Sequence, residues 1–150
     1  MMAKAPPLAE NEIQRAVFAH LRTRGAPGVV AFHPKNGGIH QRGGHRGINA
    51  GLGVLSGVAD VIIIAPPAAT VYALELKKRG GKPSDEQIAF IEAVEKAGGK
   101  AHWVDTLDDA LAWLEGHGLL IGSTRPAPRI EVTGAGSARA ELVVSIRGLE

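Results

Sequence analysis

The spacing of apolar positions changes along the chain in a way that sorts it into helices and strands. Over residues 8–24, Ile13, Ala16, Val17, His20 and Leu21 fall on one helical face, and Gly25 follows as a stop signal. Residues 29–33 are short, apolar and β-branched, which predicts a strand. Residues 58–64 form a β-rich run stopped by Pro66-Pro67, and residues 70–77 form another. Ser84-Asp85-Glu86-Gln87 then has the form of a capping box, with Ser84 as N-cap and Gln87 three positions on. The helix it opens carries Ile88, Ile91, Val94 and Glu95 down to Gly98-Gly99. Residues 101–104 read as a strand. Thr106 caps a last helix running to about Glu115, with Leu107, Ala110, Leu111 and Leu114 on its inner face and a stop near Gly118. The predicted order is α-β-β-β-α-β-α, an α/β fold.

Two segments fall outside this pattern. Residues 36–57 hold eight glycines and the basic residues Arg42 and Arg46 without periodicity, and are expected to form a loop. Residues 125–129 read as a proline-containing linker. Beyond them, Ile130/Val132 and Leu142/Val144/Ile146 alternate around Gly134-Ala135-Gly136, which predicts an appended β-hairpin. The expected organisation is therefore a core domain over residues 8–118 and a linker with a C-terminal hairpin over 119–150. Appended sheet edges tend to pair, and a homodimer is one outcome.

Composition narrows the picture modestly. At 150 residues and 45% apolar, the chain has enough material for one buried core. It contains no cysteine, which excludes disulfides, thiolate zinc sites and a cysteine nucleophile, and fits a reducing cytoplasm. Met1 to Leu8 lacks an apolar signal core, and no apolar run is long enough for a bilayer, so a soluble protein is expected. The formal charge is only +2, which permits an acidic partner without requiring one.

The chemistry lies in Asp60, Glu75 and Lys77. Glu75 and Lys77 are two apart on a predicted strand, so both leave the same face, while Leu74 and Leu76 leave the other. A hairpin centred on Pro67-Ala68 would put Asp60 opposite Glu75. Two converging carboxylates repel unless a cation lies between them. Oxygen ligands favour a hard ion such as Mg²⁺, which keeps several waters and takes one or two carboxylates plus a substrate phosphate. Such an ion acidifies bound water and neutralises charge on a phosphoryl oxygen. A neighbouring lysine can orient or deprotonate the water. By itself, Glu-x-Lys on a strand also describes an ordinary solvated ion pair, and an aspartate at a strand start is a common turn residue. The combination with the capped helix bearing Gln87 is what points to phosphodiester hydrolysis.

These features together resemble the VRR-NUC (virus-type replication-repair nuclease) branch of the PD-(D/E)XK superfamily. The resemblance is carried by Glu10 with Gln14, Phe32-His33-Pro34, Asn36-Gly37, Gly57-Val58-Ala59-Asp60, Glu75-Leu76-Lys77 and Ser84-Asp85-Glu86-Gln87, across roughly residues 9–115. It implies a restriction-endonuclease-like α/β core, Mg²⁺ or Mn²⁺ dependence, and cleavage of DNA, with branched, flap or junction structures as the usual substrates. It implies that Asp60 and Glu75 bind metal, that the Leu76 carbonyl adds a ligand, that Lys77 serves the water and that Gln87 lies beside the lysine. It also implies a glutamate from the first helix. Glu10 falls within the apolar stripe at about 100° per residue and Glu12 well off it, so Glu10 is the choice; a glutamate favoured by the helix dipole is the alternative. Gln87 could likewise do no more than close its capping box. Ala59 departs from the family, which usually has proline there.

Basic residues gather around this constellation: Lys35, Arg42 and Arg46 before Asp60, and Lys77, Lys78, Arg79 and Lys82 after Glu75. With Asn36 they form the expected contact surface for a phosphate backbone. Aromatic residues are scarce at 4%, which disfavours a single-strand stacking platform, and Trp103 and Trp113 are expected in the core. His33, His40 and His45 match no standard zinc spacing and read as solvated loop histidines. The glycine-rich loop lacks the Gly-Lys-Ser/Thr of a Walker motif. The rival readings are a catalytically inactive nucleic-acid-binding module of the same fold and a small α/β interaction protein whose Glu75-Lys77 pair is structural.

Overall fold

The computed structural model describes residues 6–35 and 53–122. Most of the glycine-rich loop, with Asn36, Arg42 and Arg46, and the expected C-terminal hairpin lie outside the described residues. Within them the chain runs α1 (Glu10–Arg24), β1 (Val30–Phe32), β2 (Val61–Ala65), β3 (Thr70–Leu76), α2 (Asp85–Lys96), β4 (Lys100–Val104) and α3 (Leu107–Gly116). This is the expected order, and the fold is α/β.

The sheet has the order β1-β2-β3-β4. β1–β2 and β2–β3 are antiparallel, and β3–β4 is parallel. A tight turn joins β2 to β3, whereas the parallel pair needs a crossover, which α2 supplies. The β2–β3 register pairs Val61 with Leu74 and Ala65 with Thr70. That is the register of a hairpin centred on Pro67-Ala68, and it aims Asp60 at Glu75.

Alternation along the strands divides the sheet into two faces of unequal depth. Val61, Ile63, Ala65, Leu74, Leu76 and Val104 meet Ile13 and Val17 of α1 and Ala110, Leu111 and Leu114 of α3. Leu119 and Leu120 close this larger core, so packing extends past the end of α3. The opposite face holds a smaller cluster of Ala59, Ile62, Ala73 and Ala101 under Val58, Phe90, Ile91 and Val94. β2 is a continuous apolar run because both its faces are covered.

Several details differ from the sequence-based expectations. β2 begins at Val61 rather than at residue 58, because residues 57–60 leave the ladder and run against the N-terminus of α2. Glu95 does not join the apolar face of α2; its Oε1 accepts the Ala101 N–H at 2.7 Å. Trp113 lies at the margin of the larger core, in edge contact with Tyr72 and His117, and Trp103 is half-buried. Among the described residues, no helix is long and apolar enough to cross a membrane.

Burial differs sharply between neighbours on β3. Leu74 is wholly enclosed, while Val71 is 37% exposed. Leu74→Ala should therefore cost about 3 kcal/mol of unfolding free energy, and Val71→Ala about 1 kcal/mol or less. Urea denaturation of the two variants checks this, and equal losses would contradict the assignment of faces.

Candidate active site

The site forms where β3 ends beneath the first turn of α2. Leu74 and Leu76 point into the larger core, so Glu75 must point to the thinner α2 side. There it is 1% exposed. Lys77 leaves the strand on the same side, and its Nζ lies 2.6 Å from Glu75 Oε1. The Lys77 N–H donates to the Val104 carbonyl at 2.8 Å, which holds this residue against the end of β4.

Gln87 reaches the same oxygen from α2. Its Nε2 donates to Glu75 Oε1, while its Oε1 accepts the Ser84 N–H at 2.8 Å. Ser84 Oγ in turn accepts the Gln87 N–H at 3.3 Å. The capping box and the contact to Glu75 are thus made by opposite ends of one amide, and Gln87 performs both roles that the sequence left open.

Asp60 approaches from β2. Its Oδ2 accepts the Leu76 N–H at 3.0 Å, so the carboxylate is tied to the strand that carries Glu75. Glu75 Oε2 is buried with no hydrogen-bond partner. Burial pushes the Glu75 carboxyl up from 4.5 to about 7; the Lys77 hydrogen bond pulls the other way, and the charge of Asp60, then that of Glu10, adds to the rise. Glu10 is half-buried at the start of α1 and its charge is felt at Glu75. Glu12 is spent on the helix start, where its Oε2 accepts the Ala9 N–H at 2.7 Å. Among the described residues, no group of three or more His, Asp or Glu side chains is close enough to hold a metal by itself. Asp60 and Glu75 are brought together; Glu10 stands further off.

The donor set nevertheless suits a hard divalent ion. An enclosed carboxylate oxygen without a donor is costly unless something positive meets it. An ion that keeps most of its water needs only one or two protein carboxylates. Lys35, Lys78, Arg79 and Lys82 are exposed. The loop bearing the last three is held by the Gly80 N–H, which donates to Asp105 Oδ2 at 2.8 Å, and Arg79 lines a cleft with Asp105, Thr106 and Asp108.

Two participants lie in the motifs that carry the resemblance, but the sequence assigned neither of them a role. Gly57 has φ +76, and a Cβ there would stand 2.3 Å from the Glu86 carbonyl oxygen and 2.7 Å from the Gln87 nitrogen. The missing side chain lets the approach to Asp60 touch the first turn of α2. The second is His33, whose Nδ1 lies 2.7 Å from the Asp60 carbonyl oxygen. Its sequence context was that of a loop histidine, and only the fold brings it to Asp60.

Comparison with known proteins agrees with this architecture. No family model matches the sequence, and no curated protein matches it. Among solved structures, one described as a VRR_NUC domain protein is 23% identical over 73% of this chain and 88% of its own, with a TM-score of 0.59. Another, described as a VRR_NUC domain, is 18% identical over 72% of this chain and 95% of its own, with a TM-score of 0.47. The first likeness shows the fold: this chain shares the α/β architecture of that solved VRR_NUC domain protein.

Two outcomes follow from the geometry. Gly57→Ala should lower stability by about 3 kcal/mol, from strained φ together with overpacking. Gly53→Ala, at φ +77 with nothing within 4 Å, should cost only about 1 kcal/mol. Thermal melts of the pair separate the two causes. For Glu75, the folded protein keeps the proton to about pH 7 while the unfolded chain releases it near 4.5. Unfolding in that window releases a proton, so the contribution to stability falls as pH rises, on the order of 3 kcal/mol across the window. Urea titrations of the metal-free protein should show this slope, and Glu75→Gln should flatten it. A slope unchanged in Glu75→Gln would show that the carboxyl titrates normally.

Proposed function

We propose that this protein is a Mg²⁺- or Mn²⁺-dependent DNA endonuclease that hydrolyses phosphodiester bonds in branched, flap or junction structures. The observation that carries the reading is the state of Glu75. One oxygen of this enclosed carboxylate is held by Lys77 and Gln87, the other is left without a donor, and the charge of Asp60 is felt at the same group. A purely structural ion pair has no need to bury a carboxylate and leave half of it unsatisfied.

Asp60 and Glu75 would hold the ion, with the Leu76 carbonyl and Glu10 as further oxygen donors. When bound, it would supply Lewis-acid stabilisation of the phosphoryl oxygen and a more acidic water. Lys77 would orient that water or take its proton, from a position fixed by Glu75 and the Val104 carbonyl. Gln87 keeps Glu75 in place through α2. Lys35, Lys78 and Arg79, together with Asn36, Arg42 and Arg46, would receive the DNA backbone, an attraction that weakens with salt. A homodimer would offer two such sites to the paired arms of a junction.

The test is a divalent-metal titration with junction, flap and plain duplex DNA. Cleavage should require Mg²⁺ or Mn²⁺ and cease with chelator. Asp60→Ala and Glu75→Ala should each reduce it by roughly a thousand-fold or more, and Lys77→Ala by at least a hundred-fold. Salt-sensitive binding without cleavage of any substrate would instead identify a non-catalytic binding module, and full activity in Asp60→Ala would remove the site assignment.

A further inference from the structure

We infer that His33 is a positioning residue that fixes the backbone of Asp60 and thereby sets the strength of the metal site. The inference rests on the proposed nuclease site and adds a residue to it. Asp60 lies one position before β2, beyond the end of both neighbouring ladders: the β1 pairing stops at Phe32–Ile62 and the β3 pairing at Val61–Leu74. Its main-chain carbonyl therefore has no strand partner there. His33, one residue past β1, supplies the partner from its side chain, with Nδ1 at 2.7 Å.

The direction of this bond follows from chemistry. A carbonyl oxygen only accepts, so Nδ1 must carry the proton and donate. On the other side, the Asp60 carboxylate is held by the Leu76 N–H at 3.0 Å. Asp60 is thus fastened twice, by its backbone to the end of β1 and by its side chain to β3. Removing the first fastening frees the peptide behind the carboxylate to rotate, and the two acidic groups cease to be aimed at one place. Outer contacts of this kind govern how well ligands present themselves to an ion, typically by ten- to a hundred-fold in affinity.

The two ring nitrogens can be told apart by substitution. The asparagine amide nitrogen stands about where Nδ1 stands, and the glutamine amide reaches about as far as Nε2. Metal affinity is read without DNA, as the Mn²⁺ concentration needed for a given rise in thermal midpoint. His33→Ala and His33→Gln should need about tenfold more Mn²⁺ than the wild type, while His33→Asn should stay within about threefold. Because His33 is exposed, the midpoints without metal should coincide, which separates positioning from general folding. An unchanged Mn²⁺ requirement in His33→Ala overturns the inference, as does a His33→Asn protein as weak as His33→Ala. Asp60→Ala is run beside them. If it abolishes the Mn²⁺ response while the His33 variants keep it, the metal site stands and only this inference falls. If the wild type itself shows no Mn²⁺ response, the site reading falls and takes the inference with it.

Discussion

The burial of one carboxylate, Glu75, sets the terms for the rest of this structure. An ionised group so deeply enclosed must be neutralised or compensated, and the chain does both in part. Its proton is held to about pH 7, and one oxygen is shared by Lys77 and Gln87. The contact from Gln87 explains why the first turn of α2 sits where it does, and Ser84 holds that amide in the orientation that presents its NH₂ group. Gly57 then has to be a glycine, because the segment leading to Asp60 passes directly against the same turn. A single buried carboxylate, through its Oε1, ties together a helix start, the glycine that passes it and a lysine side chain.

The unequal faces of the sheet make that arrangement affordable in structural terms. The face toward α1 and α3 carries the large side chains, with Ile63, Leu74, Leu76 and Leu114 fully enclosed. The face toward α2 is built from Ala59, Ile62, Ala73 and Ala101, and α2 itself has no fully buried residue. Small residues bring α2 close while contributing little apolar area, so this side adds less to stability. A polar cluster at its margin displaces little hydrophobic packing. The same cluster in the larger core would replace a leucine, at a cost of several kcal/mol.

How far the sequence disclosed this depended on the range of each interaction. The register of β2 with β3 was readable because Pro66-Pro67 marks the turn between two β-rich runs, and Asp60 coming opposite Glu75 follows from it. The helix at Ser84 was readable because a capping box is closed within four residues. Glu10 could be preferred to Glu12 from helical phase, and Glu12 proves to be occupied with Ala9. By contrast, His33 and Gly57 act on residues 27 and about 30 positions away, at points where neither lies in a periodic segment. Nothing local distinguishes a histidine that grips a carbonyl from one that faces water. Trp103 follows the apolar period yet is only half-buried, and Trp113 packs against the larger core from its margin, where it meets Tyr72, His102 and His117.

Charge shows the same dependence on placement. A net charge of +2 says little about partners, because it sums groups that the fold then separates. Asp60 is half-buried and Glu75 buried at the end of β3, whereas Lys35, Lys78, Arg79 and Lys82 remain exposed. Exposed cations act through solvent and are weakened by salt over about 10 Å; the charge of half-buried Asp60 reaches the enclosed Glu75 through a medium that screens less. Lys77 belongs to both zones. It is anchored on the buried carboxylate yet 13% exposed, which places its ammonium at the boundary between the enclosed site and solvent.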